Sequence, residues 1–484
     1  MNYETVIGLE VHAQLLTKSK MFCGCSADYA STPPNTHVCP VCMGMPGVLP
    51  VINRQAVEYT IMTALALNCP ISGFTRFDRK NYPYPDLVKG YQISQSGAPI
   101  SGSGWITIEV DSVTRQIGIN HIHLEEDTAK LLHRSSQNGD YSLVDINRSG
   151  VPLMEIVSEP DLRSPEEARQ FLVKLRTILQ YLGVSTGNME EGSFRCDANI
   201  SVRPAGDTEL GPKVEVKNLN SFRAVYLAME YEEQRQRKSA SEGKKLVQET
   251  RGWVDTQGKT VTQRSKEYAH DYRYFPEPDL PPLTISCEWV EEVRARLPEL
   301  PEARRDRFLA EYALPRYDAD LLTGSRAVAD YFEKASKVDR EVKPKEVSNW
   351  MLGEVSRIMN AGGIDINDFK NKVSPENLVA LIAASHSTIN TATAKSVLEK
   401  MFRTGKSSGD IINESGLGQI SDTAELENIA AEVINSNTQP VADYRAGKET
   451  ALKFLVGQVM KATRGRANPQ LVNEVLKRKL AEIS

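Results

Sequence analysis

The sequence predicts an α+β protein: an N-terminal mixed or antiparallel sheet forming a cradle, then an all-α helical domain, then a small helical tail. Three observations carry this. Period-two alternation of apolar and polar residues dominates the first half, helical spacing dominates beyond Leu297–Pro301, and the small polar segment Thr404–Gly409 sets off a last helical stretch. With 484 residues the chain has room for about three domains. Their expected bounds are 1–293, 294–407 and 408–484.

The first strand is read over Thr5–Leu15, where Ile7, Leu9, Val11 and Ala13 alternate with Gly8, Glu10, His12 and Gln14. Trp105–Val110 and Ile117–Leu124 read as two strands around a polar turn at Asp111. Ser164-Pro-Glu-Glu167 is a capping box with proline at the first helical position, followed by Ala168, Phe171, Leu172, Leu175, Ile178, Leu179 and Leu182 at helical spacing and a stop at Gly183. Arg195–Arg203 and Lys213–Lys217 return to strand alternation. In the second half, Ser374-Pro375 opens a capped helix, and Gly362-Gly363 marks a break. In the tail, Phe454–Lys461 and the stretch around Leu471, Val475 and Leu476 read as paired amphipathic helices joined by a basic loop.

Composition narrows the class. With 40% hydrophobic and 25% charged residues the chain is neither disordered nor fibrous. Seven cysteines are too few for a secreted disulfide scaffold. The start, Met1–Val6, lacks a basic and then apolar leader, and no apolar run is long enough to span a bilayer. A soluble protein of a reducing compartment is expected, the cytoplasm or an organellar matrix, with no membrane partner. The net charge of −5 argues against nucleic acid only as a sum. Residues 408–444 carry no Lys or Arg, whereas 445–484 are strongly basic, and local cationic surface decides phosphate contact.

Chemistry-bearing residues gather on strand faces. Glu10 and His12 share one face of the first strand. His121, His123, Glu125 and Asp127 share a face of the next candidate strand. Arg195, Asp197, Asn199, Ser201 and Arg203 do likewise, as do Lys213, Glu215 and Lys217. Carboxylates, imidazoles and guanidinium groups on several strands point to a concave polar surface suited to a metal–nucleotide complex. A phosphate loop of the usual kind is excluded, because Gly206–Gly211 is followed by Pro212 where the lysine should stand. Cys23, Cys25, Cys39 and Cys42 form a two-plus-two thiolate pattern that suits tetrahedral Zn²⁺ with no open position, hence a structural site.

Several strings are closely similar to one family. Leu143–Pro160 (LVDINRSGVPLMEIVSEP) resembles the signature of GatB, the tRNA-side component of the bacterial GatCAB aminoacyl-tRNA amidotransferases. Val6–His12, Phe77–Tyr84, Met189–Ser193, Lys217–Phe222 and Asp271–Pro278 resemble it too, and the likeness runs from about residue 3 to the C-terminus. The archaeal GatE relative carries an inserted domain for which this chain is too short.

The resemblance implies ATP-dependent amidation of misacylated Glu-tRNA(Gln) and/or Asp-tRNA(Asn). The side-chain carboxylate is phosphorylated and then meets ammonia from a partner glutaminase. It implies Glu10, His12, Glu125 and Glu155 as ligands in the catalytic Mg²⁺ region, the last entering only through the likeness. It also implies two partners in a heterotrimer, an amidase (glutaminase) and a small third protein. A YqeY-like tail, whose Lys461, Arg464 and Arg466 meet tRNA, is implied as well. Two other classes use the same residues: a non-catalytic tRNA-docking protein and a metal-dependent hydrolase of nucleotides or RNA.

Overall fold

Alternating apolar residues can bury one face of a sheet only if helices cover it, and that is the plan of the N-terminal unit. The computed structural model describes residues 2–137, 139–265, 271–415, 423–463, 467 and 469–482. The chain forms two compact units, Met1–Pro301 and Glu302–Ser484.

In the first unit an eight-stranded sheet comprises β1 (Tyr3–Gln14), β2 (Gly104–Val110), β3 (Val113–Glu126), β4 (Pro152–Ser158), β5 (Phe194–Pro204), β6 (Val214–Lys217), β7 (Glu249–Val254) and β8 (Lys259–Ser265). Its order is β8-β7-β6-β5-β1-β4-β3-β2. Every neighbouring pair is antiparallel except β6 with β7. Strands β2 and β3 meet through Asp111 and Ser112, both left-handed (φ 49° and 64°), the backbone that a tight hairpin requires.

Three helices cover one face: α1 (Arg54–Ala66), α2 (Pro165–Leu182) and α3 (Phe222–Ser241). Ile7, Leu9, Val11, Ile122, Met154, Ile156, Ala198 and Ile200 of the sheet join Phe171, Leu172, Leu175 and Leu179 of α2 in one core. In α2 the Ser164 hydroxyl accepts from Glu167 N, and Gly183 closes the helix at φ 70°. The Glu167 carboxylate reaches back one residue further than a standard capping box, to Arg163 N. A cap is worth about 1 kcal/mol and each buried Leu or Phe about 1.5–3 kcal/mol. Packing of the apolar stripe therefore fixes α2, and the cap only sets where it begins.

A smaller sheet of Phe275–Pro276, Asp78–Asn81 and Tyr91–Ser94 packs on the end of β3. It joins two segments that lie far apart in sequence, Arg79 pairing with Phe275 and Asp78 with Pro276. Arg79 locks the junction through a two-pronged ion pair to Glu277, both distances 2.7 Å. Lys130–Ser136 and Gly139–Asp145 form a separate hairpin.

The second unit is helical throughout its described residues, with two apolar clusters. Phe308, Phe332, Phe369, Leu378 and Leu398 centre the first, and Leu426, Leu455, Val459, Val475 and Leu476 the second. The expected break at 408 lies at the N-terminus of the helix Ser408–Glu414, whose Ile411 and Ile412 pack into the first cluster. Leu297 and Leu300, beyond the expected break at 293, pack on the sheet core. Among the described residues no helix is long and apolar enough to cross a membrane.

Helix α3 is tied to the sheet's far edge by charge. Glu232 is fully buried and pairs with Arg235 at 2.8 Å and Arg251 at 3.0 Å, while Thr260 donates to it. Removing one member of a buried ion network strands the others. Glu232→Ala is expected to destabilise the first unit by roughly 3–5 kcal/mol, read from urea unfolding of the full chain, and a loss below about 1 kcal/mol would show the network to be idle.

Candidate catalytic and metal-binding sites

The face of the sheet not covered by helices carries the polar residues. Antiparallel register aligns them in a row: Arg195 of β5 lies opposite His12 of β1, His12 opposite Glu155 of β4, and Glu155 opposite His123 of β3. Cross-strand neighbours on one face stand about 4.5–5.5 Å apart at Cβ, so the row brings these groups into contact range. His12 Nε2 lies 3.2 Å from Glu155 Oε2 and 3.7 Å from Glu125 Oε1. His123 Nε2 lies 3.2 Å from Glu155 Oε2 and 3.7 Å from Glu125 Oε2. One ligand atom each of His12, Glu125 and Glu155 falls within 4.8 Å of the other two.

Glu125 is 2% exposed and accepts a hydrogen bond from Ser94 Oγ at 3.1 Å. Burial works against the charge of both imidazoles, but the carboxylates override it. His12 is raised, through Glu155 and then Glu125, and His123 is pushed up to about 10, with Glu155 as the largest favourable cause. Burial opposes ionisation of Glu155 as well, yet His12 and His123 hold it well below the ordinary carboxylate value. His121, stacked on His123 with ring centroids 5.2 Å apart, is pushed down by burial and by its neighbour's charge.

These directions describe a centre of negative potential that favours positive charge on its neighbours. A divalent cation satisfies the same demand. Glu125 and Glu155 supply the hard oxygens that Mg²⁺ prefers and His12 a nitrogen. The residues fit such an ion.

Glu10 lies two residues from His12 on the same face but outside the three-residue cluster. Its carboxylate accepts from Asn199 Nδ2 at 2.8 Å and borders a cavity of about 1200 Å³. That cavity is walled by Gly8, Asn199, Leu210, Lys213, Lys245 and Val247, among others. Lys80 enters from the small sheet with its ammonium 5.0 Å from the Tyr272 ring. Burial opposes its charge, but Glu125, Tyr274 and Glu155 hold it above the ordinary lysine value. Strand periodicity gives no sign of Lys80, because nothing in it links Phe77–Tyr84 to Asp271–Pro278. Both strings nevertheless stand among the family-like motifs. Asp127 lies just past the end of β3, yet its carboxylate reaches the same face and meets Arg195 Nη2 at 2.9 Å and Gln14 Nε2 at 2.7 Å.

Cys23, Cys25, Cys39 and Cys42 converge in the loop before α1, with one sulfur from each within 4.8 Å of the others. A hydrogen bond from Cys23 is the largest cause drawing Cys42 down to about 5, helped by Cys39 N and the Lys20 charge against burial. The same contact raises Cys23, and burial pushes Cys25 up to about 11. One thiolate is thus stabilised at its neighbours' expense, and four can ionise together only around a cation.

Lys461 is exposed in the last turn of the helix Glu449–Ala462. Arg464 and Arg466 lie outside the described residues.

Residues 5–291 match the family model described as the GatB/GatE catalytic domain, and 330–480 match that of the GatB domain. The chain belongs to the GatB/GatE family. A relative from Dehalococcoides mccartyi (strain CBDB1) is 64% identical over 99% of each chain, and one from Thermomicrobium roseum is 56% identical over 100% of this chain and 99% of its own. A third, from Thermoanaerobacter sp. (strain X514), is 55% identical over the whole of both. All three are named as the B-type subunit of an aspartyl/glutamyl-tRNA(Asn/Gln) amidotransferase. The GatB/GatE match covers both the acidic centre and the cysteine loop.

Four cysteine sulfurs clustered this closely should hold about one Zn²⁺ per chain. Metal analysis of the purified protein checks this. Chelation or Cys39→Ser should release the metal and lower the melting temperature, and four freely titratable thiols in metal-free native protein would remove the site.

Proposed function

We propose that this chain is the amide-forming subunit of a glutamine-dependent aminoacyl-tRNA amidotransferase. It converts Glu-tRNA(Gln) and/or Asp-tRNA(Asn) to the corresponding amide with ATP. One observation carries the reading: a row of His12, Glu155 and His123 with Glu125 beside it shares a sheet face with Glu10, and Glu10 borders a cavity large enough for a nucleotide.

A carboxylate has a poor leaving group and must be activated before an amine can displace it. One of its oxygens bonds to the γ-phosphorus of ATP, the bond from that phosphorus to the β,γ-bridging oxygen breaks, and ADP leaves. Ammonia then attacks the acyl carbon, the carbon–oxygen bond to phosphate breaks, and the phosphate departs carrying one ammonia proton. The first step is mainly positioning and charge neutralisation. His12, Glu125 and Glu155, with Glu10 alongside, would hold Mg²⁺, which neutralises charge on the phosphoryl oxygens. Lys80 adds a fixed cation at the same centre. Lys213 and Lys245 face the cavity where the nucleotide's phosphates would lie. No general base is assigned on this chain.

Ammonia comes from an amidase partner, which assembles with this chain and a small third protein into a heterotrimer. The cysteine loop holds structural Zn²⁺, and the tail, through Lys461, Arg464 and Arg466, meets the tRNA body. Of the segments 1–293, 294–407 and 408–484, the first carries the amide-forming centre and the last the tRNA-binding tail, and the work is carried out in the cytoplasm or an organellar matrix.

Reconstitution with the amidase and the small third protein, ATP, glutamine and each misacylated tRNA tests the proposal. Amide formation should consume ATP in step and leave the tRNA intact. The double change Glu125→Gln with His12→Ala should lower the rate by at least about 10²-fold. Retained amide formation in that variant would instead favour a docking role, and cleaved tRNA a hydrolase.

A further inference from the structure

The acidic centre has two ends along β1. Along β1 on one side of it, Gly8 and Glu10 border the large cavity. Toward Gln14 it meets Arg195, Asp127 and Tyr29, and none of these borders that cavity. Transfer of a phosphoryl group requires donor and acceptor on opposite sides of the phosphorus. With the nucleotide at the Glu10 end, the acceptor carboxylate must arrive from the Gln14 end.

The group waiting there is a guanidinium. Arg195 is the cross-strand partner of His12, and among the described residues its one hydrogen bond runs from Nη2 to Asp127 Oδ2. Among the described residues its Nε is buried without a partner, while 37% of the side chain stays open. Burial works against the Asp127 charge and Arg195 is the largest cause offsetting it, but Asp127 has other partners as well. It also accepts from Gln14 Nε2 at 2.7 Å and Thr128 N at 2.9 Å, and Arg148 Nε lies 3.6 Å away. A pair built only for stability would leave no donor idle in a buried site. A guanidinium clamped at one amino group and idle elsewhere is poised for a further planar anion, and carboxylate matches its fork.

We propose that Arg195 binds the side-chain carboxylate of the aminoacyl-tRNA awaiting activation, with Asp127 and Gln14 as the positioning residues that aim it. The inference rests on the reading of this centre as the amide-forming site. Gln14 is itself held by Tyr29, through hydrogen bonds of 3.0 and 3.1 Å, so the aim of Arg195 extends back to the cysteine-bearing loop. When the carboxylate becomes an acyl phosphate, the same donors stay within reach of its oxygens while ammonia attacks the carbon.

The test uses the reconstituted complex with ammonium chloride as nitrogen donor, so that glutaminase coupling plays no part. For Arg195→Ala, the KM for Glu-tRNA or Asp-tRNA should rise about 10- to 100-fold, the worth of a charged hydrogen bond. KM for ATP and affinity for the uncharged tRNA should stay at wild-type values. Arg195→Lys keeps the charge beside Asp127 but loses the fork, and should show the same one-sided rise to a smaller degree. Asp127→Asn should raise the aminoacyl-tRNA KM while leaving that for ATP alone. Added guanidine should restore part of the activity to Arg195→Ala but not to the Arg195→Ala, Asp127→Asn double variant. If Arg195→Ala does not fold, Arg195→Lys decides: wild-type KM for the aminoacyl-tRNA would overturn the proposal, as would a rise confined to ATP. A wild-type complex that makes no amide at all would instead overturn the functional reading itself.

Discussion

Two carboxylates, Glu125 and Glu155, stand side by side in a place that water scarcely reaches, and the rest of the cradle is organised around that placement. Like charges at such separation are costly in a poorly solvated site. Here the cost is offset by His12 and His123 on either side of Glu155, by Ser94 on Glu125, and by Lys80 leaning in from the small sheet. The arrangement therefore has a fixed appetite for positive charge. A divalent cation with a phosphoryl group satisfies it in the proposed reaction.

What holds the groups in place is strand register. A slip of one residue would turn every side chain of a strand to the other face. Such a slip is resisted because the reverse face of each strand is locked into the core by Leu9, Val11, Ile122, Leu124, Met154 and Ile156. The apolar face thus determines where the polar face presents its chemistry. The small sheet adds a second constraint. Gln92 Nε2 donates to Glu126 O and Ile93 N to Glu126 Oε1, while Gln95 Oε1 accepts from Leu124 N, so the last residues of β3 are fastened on both sides of Glu125.

Much of this was legible beforehand. Strand alternation put Glu10, His12, His123 and Glu125 on polar faces, and the capping signals at Ser164 and Ser374 agree with the helix starts found there. Cysteine spacing anticipated a cluster that the fold does assemble. The roles were less legible than the faces. Glu10 lies at the cavity edge, beside the group of His12, Glu125 and Glu155, and its carboxylate accepts from Asn199. Lys80 was hidden because the partner of its strand, Phe275–Pro276, lies nearly two hundred residues away, and local pattern carries no record of such pairings.

By itself, then, the sequence determined the kind of protein. Periodicities of two and 3.6 residues are local properties of backbone geometry, and they established a sheet followed by helices, with polar and apolar faces correctly divided. The four-cysteine pattern and the family motifs were likewise readable as strings. Only the tertiary structure decided which polar faces meet and at what distance. It placed Arg195 opposite His12, set Glu155 between two histidines, and brought Asp127, just beyond the end of its strand, back to clamp a guanidinium. Those facts depend on strand order and register across long loops. They are fixed by the packing of a shared core, which no single segment of the chain contains.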